Sequence, residues 1–182
     1  MLNTILGSFS SGVVTPAVSY ESIATVTVGG GGSATVTFSS IPATYTHLQI
    51  RGIARTATNV SLGLQFNSDT GSNYSRHFLN GNGSSAASGG AANTTNVYAG
   101  TTATITSAFG ANIIDILDYA NTNKYKTTRT LSGGDNNGSG FVQFMSGNWR
   151  NTNAVTSIDI FQVDGDTIAE YSQFALYGIK GS

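Results

Sequence analysis

Residues 112–132 read NIIDILDYANTNKYKTTRTLS, and this stretch decides the fold. Two runs rich in β-branched and aromatic residues flank a short Asn/Thr link, which is the pattern of a β-hairpin. Because successive side chains of a strand point to opposite faces, Ile114 and Ile116 share one face of the first strand. Thr128 and Thr130 share one face of the second. The stretch therefore predicts two antiparallel strands joined by a turn.

The same alternation recurs along the chain from Tyr20 onward. Ala34, Val36 and Phe38, for example, alternate with threonine and serine. The predicted strands lie at residues 20–28, 34–39, 47–57, 60–66, 74–79, 97–98, 101–106, 112–119, 124–132, 141–149, 157–163 and 172–179. Short strands separated by small polar turns predict an all-β fold, an antiparallel β-sandwich of about ten strands. We expect a jelly-roll-like order first and another antiparallel sandwich second.

One segment breaks this pattern. Residues 80–96 consist of Gly, Ser, Ala, Asn and Thr. Such a composition cannot bury enough apolar surface to order a segment by itself. The sequence therefore predicts a long exposed loop between strands, able to meet a neighbouring molecule.

The first nineteen residues also differ from the strand pattern, and we expect them to form an extended N-terminal docking arm. Apolar residues at positions 1, 2, 5, 6 and 9 have a helix-like spacing, which Gly7, Gly12 and Pro16 interrupt. The run lacks a basic start and is interrupted, which argues against a secretory signal, and it is too short to span a membrane. Residues 20–182 are expected to form a single sandwich domain. The arm's predicted contacts, with a partner or with its own domain, are Leu2, Ile5, Leu6 and Phe9.

Charged residues are unusually scarce in this chain. Asp, Glu, Lys and Arg make up 9% of the residues, against roughly 25% in ordinary soluble proteins. The formal net charge is -1, which argues against nucleic-acid binding driven by charge. There is no cysteine, so disulfides and thiolate metal sites are excluded. Ser, Thr, Asn and Gln must supply solubility, as is common for extracellular or assembly proteins.

Residues with metal-binding chemistry are few. His47 and His77 have no partner at metal-ligand spacing. The turns at 135–137 and 164–166 are rich in oxygen ligands, but neither matches a twelve-residue calcium loop. Asp and Asn beside Gly are ordinary turn residues. We therefore expect no metal site and no cofactor.

Three carboxylates are candidates for acid–base chemistry. Asp115, Asp118 and Glu170 include a pair of the kind that a glycosidase needs. Asp115 lies on the face opposite Ile114 and Ile116, which fits a solvated surface equally well. We expect the chain not to be an enzyme.

Two aromatic residues are candidates for carbohydrate contact. Trp149 and Tyr98 could stack on sugar rings if they lie on the surface. The alternative is a place in the core, where aromatic residues of sandwiches are more often found. The sequence leaves both interpretations open.

Five segments together resemble a known set of proteins. They read YESIATVTV (20–28), FSSIPATYTHLQIR (38–51), FNSDTGSNYS (66–75), ILDYANTNKYKT (116–127) and FALYGIKG (174–181). In this order they are similar to virion-associated structural proteins of tailed phages, common among marine cyanophages. The resemblance covers residues 20–181. It implies a phage structural protein and carries over no catalytic residue.

The resemblance implies a protein of the phage particle surface. The expected role is capsid decoration, as a cement or head-fibre protein that docks on the assembled shell through its arm. The expected partners are the major capsid protein or another virion protein, and copies of the same chain in a homotrimer, with no nucleic acid and no membrane. One alternative is a tail adhesin or fibre tip that binds host-surface glycan. Another is a non-viral carbohydrate-binding module.

Overall fold

The computed structural model describes residues 19–58 and 61–181. These residues form twelve β-strands, none of them longer than ten residues. In chain order they are β1 (Tyr20–Thr27), β2 (Thr35–Phe38), β3 (His47–Ala54), β4 (Ser61–Phe66), β5 (Tyr74–Gly81), β6 (Ala86–Thr94), β7 (Val97–Thr101), β8 (Gly110–Leu117), β9 (Lys126–Asp135), β10 (Gly140–Trp149), β11 (Ile158–Gln162) and β12 (Gln173–Ile179). No helix among the described residues is long and apolar enough to cross a membrane.

The strands form two antiparallel sheets that face each other. The large sheet has eight strands in the order β1-β12-β3-β8-β9-β10-β5-β6, and the small sheet has four in the order β2-β11-β4-β7. The predicted hairpin is confirmed as β8 and β9, with Ile114 opposite Thr130 and Ile116 opposite Thr128. All four of these side chains are buried. The predicted antiparallel sandwich is therefore confirmed.

Eight of the strands form a jelly roll. Antiparallel pairs join β1 to β12, β2 to β11, β3 to β8 and β4 to β7, so that the pairing is nested from the chain ends inward. The pairs β3–β12 and β4–β11 then complete the two sheets. This is the order of a hairpin rolled into two sheets, the jelly-roll arrangement. The remaining strands, β5–β6 and β9–β10, are two inserted hairpins that extend the large sheet beyond β8.

The prediction that residues 80–96 form a loop is wrong, whereas the prediction that this segment is exposed is confirmed. β6 occupies most of it and pairs antiparallel with β5. Seven of its nine residues are exposed, because β6 is the outermost strand of the large sheet. Its order comes from backbone hydrogen bonds to β5 and needs no apolar side chain of its own.

The core lies between the two sheets. The alternate residues of each strand that point inward are buried, as in β3 and β4. The largest contributors are Trp149, Tyr74, Tyr119, Phe66, Phe174, Leu48, Ile50, Leu62, Leu64, Ile114 and Ile116. The outward-pointing residues of the large sheet form a second, solvent-facing surface.

Lys126, at the start of β9, is a buried cation that ties two loops together. Its Nζ donates to the backbone oxygens of Asn121 (2.6 Å), Lys124 (2.8 Å) and Thr152 (3.1 Å). Burial lowers the pKa of the Lys126 amine, and the nearby Asp118 carboxylate opposes this shift. The hydrogen bonds therefore compensate for the burial of a charged group.

We expect Lys126→Met to lower the free energy of unfolding by about 2–3 kcal/mol, because three carbonyls lose a charged donor. Lys124→Met is the matched control. Lys124 is exposed and pairs with Asp118 at the surface, so its loss should cost less than about 1 kcal/mol. Urea unfolding measures both variants, and equal losses would contradict the structural role given to Lys126.

Candidate functional site

The outer face of the large sheet carries a row of exposed apolar side chains. Four adjacent strands, β8, β9, β10 and β5, contribute one residue each. Ile113 lies opposite Leu131, and Leu131 lies opposite Phe144. Phe144 in turn lies opposite Leu79. Exposed fractions along the row, in this order, are 42%, 53%, 49% and 55%.

Two more side chains widen this row into a face. A neighbouring row runs from Ile53 on β3 through Ala111 and Gly133 to Val142 on β10, each residue opposite the next. Ile53 is 48% exposed and Val142 is 66% exposed. We call these six residues the outer apolar face: Ile53, Leu79, Ile113, Leu131, Val142 and Phe144. They are six of the nine large hydrophobic side chains that are exposed in the described chain. Isolated exposed hydrophobics are ordinary, but a contiguous group marks an association surface.

The sequence contains a sign of the outer apolar face, namely apolar residues at strand positions where a solvent-facing polar residue is expected. A strand with one wet face alternates apolar with polar residues. Ile113 is an exception, because it is apolar although it lies on the exposed face, next to the buried Ile114. Val142 and Phe144 are further exceptions, on the exposed face of β10 opposite Met145. Only the register between strands shows that these exceptions lie together on one face of the sheet.

A polar network borders the outer apolar face. The Asp115 carboxylate accepts a hydrogen bond from Gln49 Nε2 at 2.8 Å and pairs with Arg129 Nη2 at 2.8 Å. Arg51 Nε donates to Gln49 Oε1 at 3.0 Å. The candidate acid–base residue Asp115 is therefore engaged in a structural ion pair on the sheet surface.

Asp118, the second candidate acid, belongs to a different contact. Its carboxylate lies 2.5 Å from Lys124 Nζ, and this hydrogen-bonded ammonium holds the pKa of the carboxyl below its usual range. Its backbone N–H donates to His47 Nδ1 at 3.0 Å. His47 thus receives a backbone donor, which is a structural role.

The two oxygen-rich turns use their carboxylates to hold backbone. Asp135 Oδ1 accepts from the Gly138 N–H at 2.8 Å. Asp166 Oδ2 accepts from the N–H groups of Ala57 and Thr58, each at 3.0 Å. Within residues 19–58 and 61–181, no three His, Asp or Glu side chains are grouped as a metal site requires. The Asp135 contact is ordinary turn chemistry, whereas Asp166 links its turn to the loop after β3.

Trp149 is a core residue, and the interpretation of this residue as a glycan contact is wrong. The side chain is 1% exposed. Its ring packs 5.5 Å from that of Phe66 and 6.3 Å from that of Tyr74. The indole Nε1–H donates to Asp69 Oδ2 at 2.7 Å. Trp149 points inward from β10 and is buried between the two sheets, so a saccharide at the surface cannot reach its ring.

The Asp69 contact makes the stability of this corner depend on acid. Asp69 is partly desolvated, which raises its pKa, but hydrogen bonds from Trp149, Asn73 and Gly71 outweigh this and leave the pKa below its usual range. A carboxyl with a lowered folded pKa stabilises the fold above its unfolded pKa of about 3.9 and loses this contribution as pH falls through the folded pKa.

We therefore expect Asp69→Asn to be less stable than the wild type at pH 7, with the difference shrinking as the pH falls from about 4 toward 2. Urea unfolding, followed by the fluorescence of the single tryptophan, measures the difference at each pH. A difference that stays constant over this range would contradict the role of the ionised carboxylate.

A cleft opens where the large sheet extends past the small one. β7 is the edge of the small sheet and packs across the core from β8, β9 and β10, whereas β5 and β6 extend beyond it. A cavity of about 220 Å³ lies along this edge. We call it the overhang cleft, and its lining includes Phe78, Asn80, Tyr98, Phe141, Gln143 and Met145.

Tyr98, the other candidate glycan contact, lines this cleft and is partly buried. The Arg76 guanidinium lies 3.8 Å from the centre of its ring, and Phe78 meets it edge-on at 6.2 Å. Tyr98 thus has an accessible position, unlike Trp149, and its contact with glycan stays a prediction. The predicted arm contacts Leu2, Ile5, Leu6 and Phe9 lie outside the described residues and also stay predictions.

Comparisons of the chain with protein-family models, with curated proteins and with solved structures find no match in any of the three. The candidate surfaces therefore rest on the geometry of this chain: the outer apolar face on one side of the large sheet and the overhang cleft on the other.

Proposed function

We propose that this chain is a non-enzymatic structural protein of a tailed-phage virion that decorates the assembled shell. The observation that carries the proposal is the outer apolar face, which crosses five strands at 42–66% exposure. A surface of this kind serves a protein that is covered in its working state. The resemblance of residues 20–181 to virion proteins and the scarcity of charge support the same function.

The outer apolar face contacts other copies of the chain. Six half-exposed large side chains offer on the order of 500 Å² of apolar surface. With the bordering polar network this approaches the roughly 800 Å² that each partner buries in a stable interface. The border carries both signs of charge, on Asp115 and on Arg51 and Arg129. A second copy can therefore meet it with complementary charges.

A homotrimer is the assembly that we propose. The formal net charge of -1 means that copies repel each other weakly. In a threefold arrangement the three outer apolar faces turn toward a common axis. The Ile113 end of one row then meets the Leu79 end of the next, and all three rows leave water together.

Attachment to the shell is assigned to the arm, as the sequence predicts. Binding only to the assembled surface stabilises the shell by mass action. Phage particles carrying a deletion of residues 1–15 in this chain should lose the protein, while the isolated domain stays folded by circular dichroism. Retention of the shortened chain on particles would contradict this part of the proposal.

Immunogold electron microscopy of purified particles, with an antibody against this chain, tests the function. Label spread over the head is the expected result. Label confined to the tail tip would replace decoration with an adhesin role. Particles without label, from a preparation in which the antibody detects free protein, would overturn the virion assignment.

A further inference from the structure

We propose that the overhang cleft binds one pyranose ring of a neutral saccharide. This inference does not depend on the position of the protein in a particle or on the outer apolar face. It rests on three features of the cleft: its size and walls, the absence of charge from the described residues that line it, and one buried, unpaired amide, that of Gln143.

The walls of the overhang cleft suit the apolar faces of a sugar ring. Phe78, Tyr98 and Phe141 provide aromatic surface, and Met145 adds an adaptable apolar one. The volume of about 220 Å³ is below the roughly 300–1,000 Å³ of pockets for drug-sized ligands. The cleft is therefore too small for a drug-sized ligand, and its size suits a ligand no larger than a single sugar ring.

The lining of the overhang cleft carries no formal charge. Its polar groups include the amides of Asn80 and Gln143 and the hydroxyl of Tyr98. The lining offers an anionic ligand no cation of its own, because the Arg76 guanidinium beside Tyr98 is not part of the lining and is hydrogen-bonded to Asn96. It likewise offers an ammonium no anion. Amides and hydroxyls both donate and accept, which matches the hydroxyl groups of a neutral sugar.

Gln143 is the strongest sign that the cleft is a binding site. The residue is only 8% exposed, and no described residue hydrogen-bonds to its Oε1. Burying an unpaired amide oxygen is unfavourable, and such groups are uncommon in folded proteins. Gln143 lines the cleft, and a rotation of its amide that exchanges Oε1 with Nε2 would let a ligand hydroxyl there supply the donor that the protein does not.

The polar floor extends from Gln143 into the sheet. Gln143 lies opposite Asn80 on β5 and opposite Ser132 on β9, and Ser132 lies opposite Asn112 on β8. Ser132 Oγ and Asn112 Oδ1 also lack partners among the described residues. Three of the five unpaired buried polar atoms thus belong to this single row. Of these three residues, Gln143 lines the cleft, whereas Ser132 and Asn112 lie beneath Gly100 of β7.

The aromatic wall is held in position before any ligand arrives. The Arg76 guanidinium stacks on Tyr98 at 3.8 Å. Arg76 Nη1 in turn donates to Asn96 Oδ1 at 2.5 Å. Preorganised side chains lose little conformational freedom on binding, which favours recognition of a small ligand.

Saturation-transfer NMR and titration of the full chain test the proposal. The probes are the methyl pyranosides of glucose, galactose and mannose, and N-acetylglucosamine, with adenosine as a flat aromatic competitor. We expect saturable binding of at least one saccharide. No saturable binding of any saccharide up to its solubility limit, or binding of adenosine alone, would overturn the proposal.

Two variants locate the site. Tyr98→Ala should weaken saccharide binding at least about tenfold. Gln143→Leu should weaken it equally and, because it removes an unpaired buried amide, should melt at a temperature no lower than the wild type. Tyr125→Ala is the control, since Tyr125 is 53% exposed and lies outside the cleft. Wild-type affinity in Gln143→Leu would overturn the proposal even if Tyr98→Ala fails to fold.

Discussion

Trp149→Ala is expected to lower the free energy of unfolding by about 3–5 kcal/mol, the range for large aromatic residues removed from cores. Trp149 is 1% exposed and packs against Phe66 of β4 and Tyr74 of β5. It therefore links the small sheet to the inserted hairpin of the large one. Its loss leaves a cavity between the sheets and removes the donor to Asp69.

Urea unfolding followed by far-ultraviolet circular dichroism measures this loss. Tyr125→Ala is the matched control, because Tyr125 is an exposed aromatic residue, and it should change the stability by no more than about 0.5 kcal/mol. If Trp149→Ala does not fold at all, Trp149→Phe should give a smaller but measurable loss. A Trp149→Ala protein as stable as the control would contradict the packing described for this residue.

Replacing two residues at the centre of the outer apolar face should dissociate the proposed trimer. We expect Leu131→Thr/Phe144→Thr to weaken association by about 3 kcal/mol per chain, or roughly 100-fold, because two half-exposed side chains no longer leave water on assembly. Threonine keeps a strand preference, so the sheet should stay intact. The monomer should unfold with the same cooperativity as the wild type.

Light scattering after size-exclusion chromatography measures the mass of the double variant. The control is Tyr125→Thr, which removes a side chain that is 53% exposed but lies outside the outer apolar face. The control should keep the wild-type mass. A double variant with wild-type mass across a range of dilutions would exclude this face as the interface.

The strands with one buried face could be predicted from the sequence. In β8, alternation alone placed Ile114 and Ile116 on one face, and both are buried. In β9, alternation grouped Thr128 with Thr130 but did not show that their face is the buried one, because Leu131 lies on the opposite, exposed face. β6 could not be predicted in this way. Its Gly, Ala, Ser and Asn residues have no apolar side, and its order depends on the edge that β5 offers.

The candidate surfaces depend on contacts between distant parts of the chain. The sequence could not show that Trp149 is buried, because the residues that contact it, Phe66, Tyr74 and Asp69, are all distant from it in sequence. The overhang cleft exists because two inserted hairpins extend one sheet and not the other. The outer apolar face likewise requires the register of five strands at once.

The absence of cysteine from this chain allows one direct test of the outer apolar face as an assembly interface. Leu79 and Ile113 lie at opposite ends of the row, three strand spacings or about 14 Å apart, which is too far for a disulfide within one chain. In the proposed trimer these ends meet between copies. Mild oxidation of Leu79→Cys/Ile113→Cys should therefore give covalent dimers and trimers on a non-reducing gel. A single monomer band, with both thiols still reactive, would contradict the account.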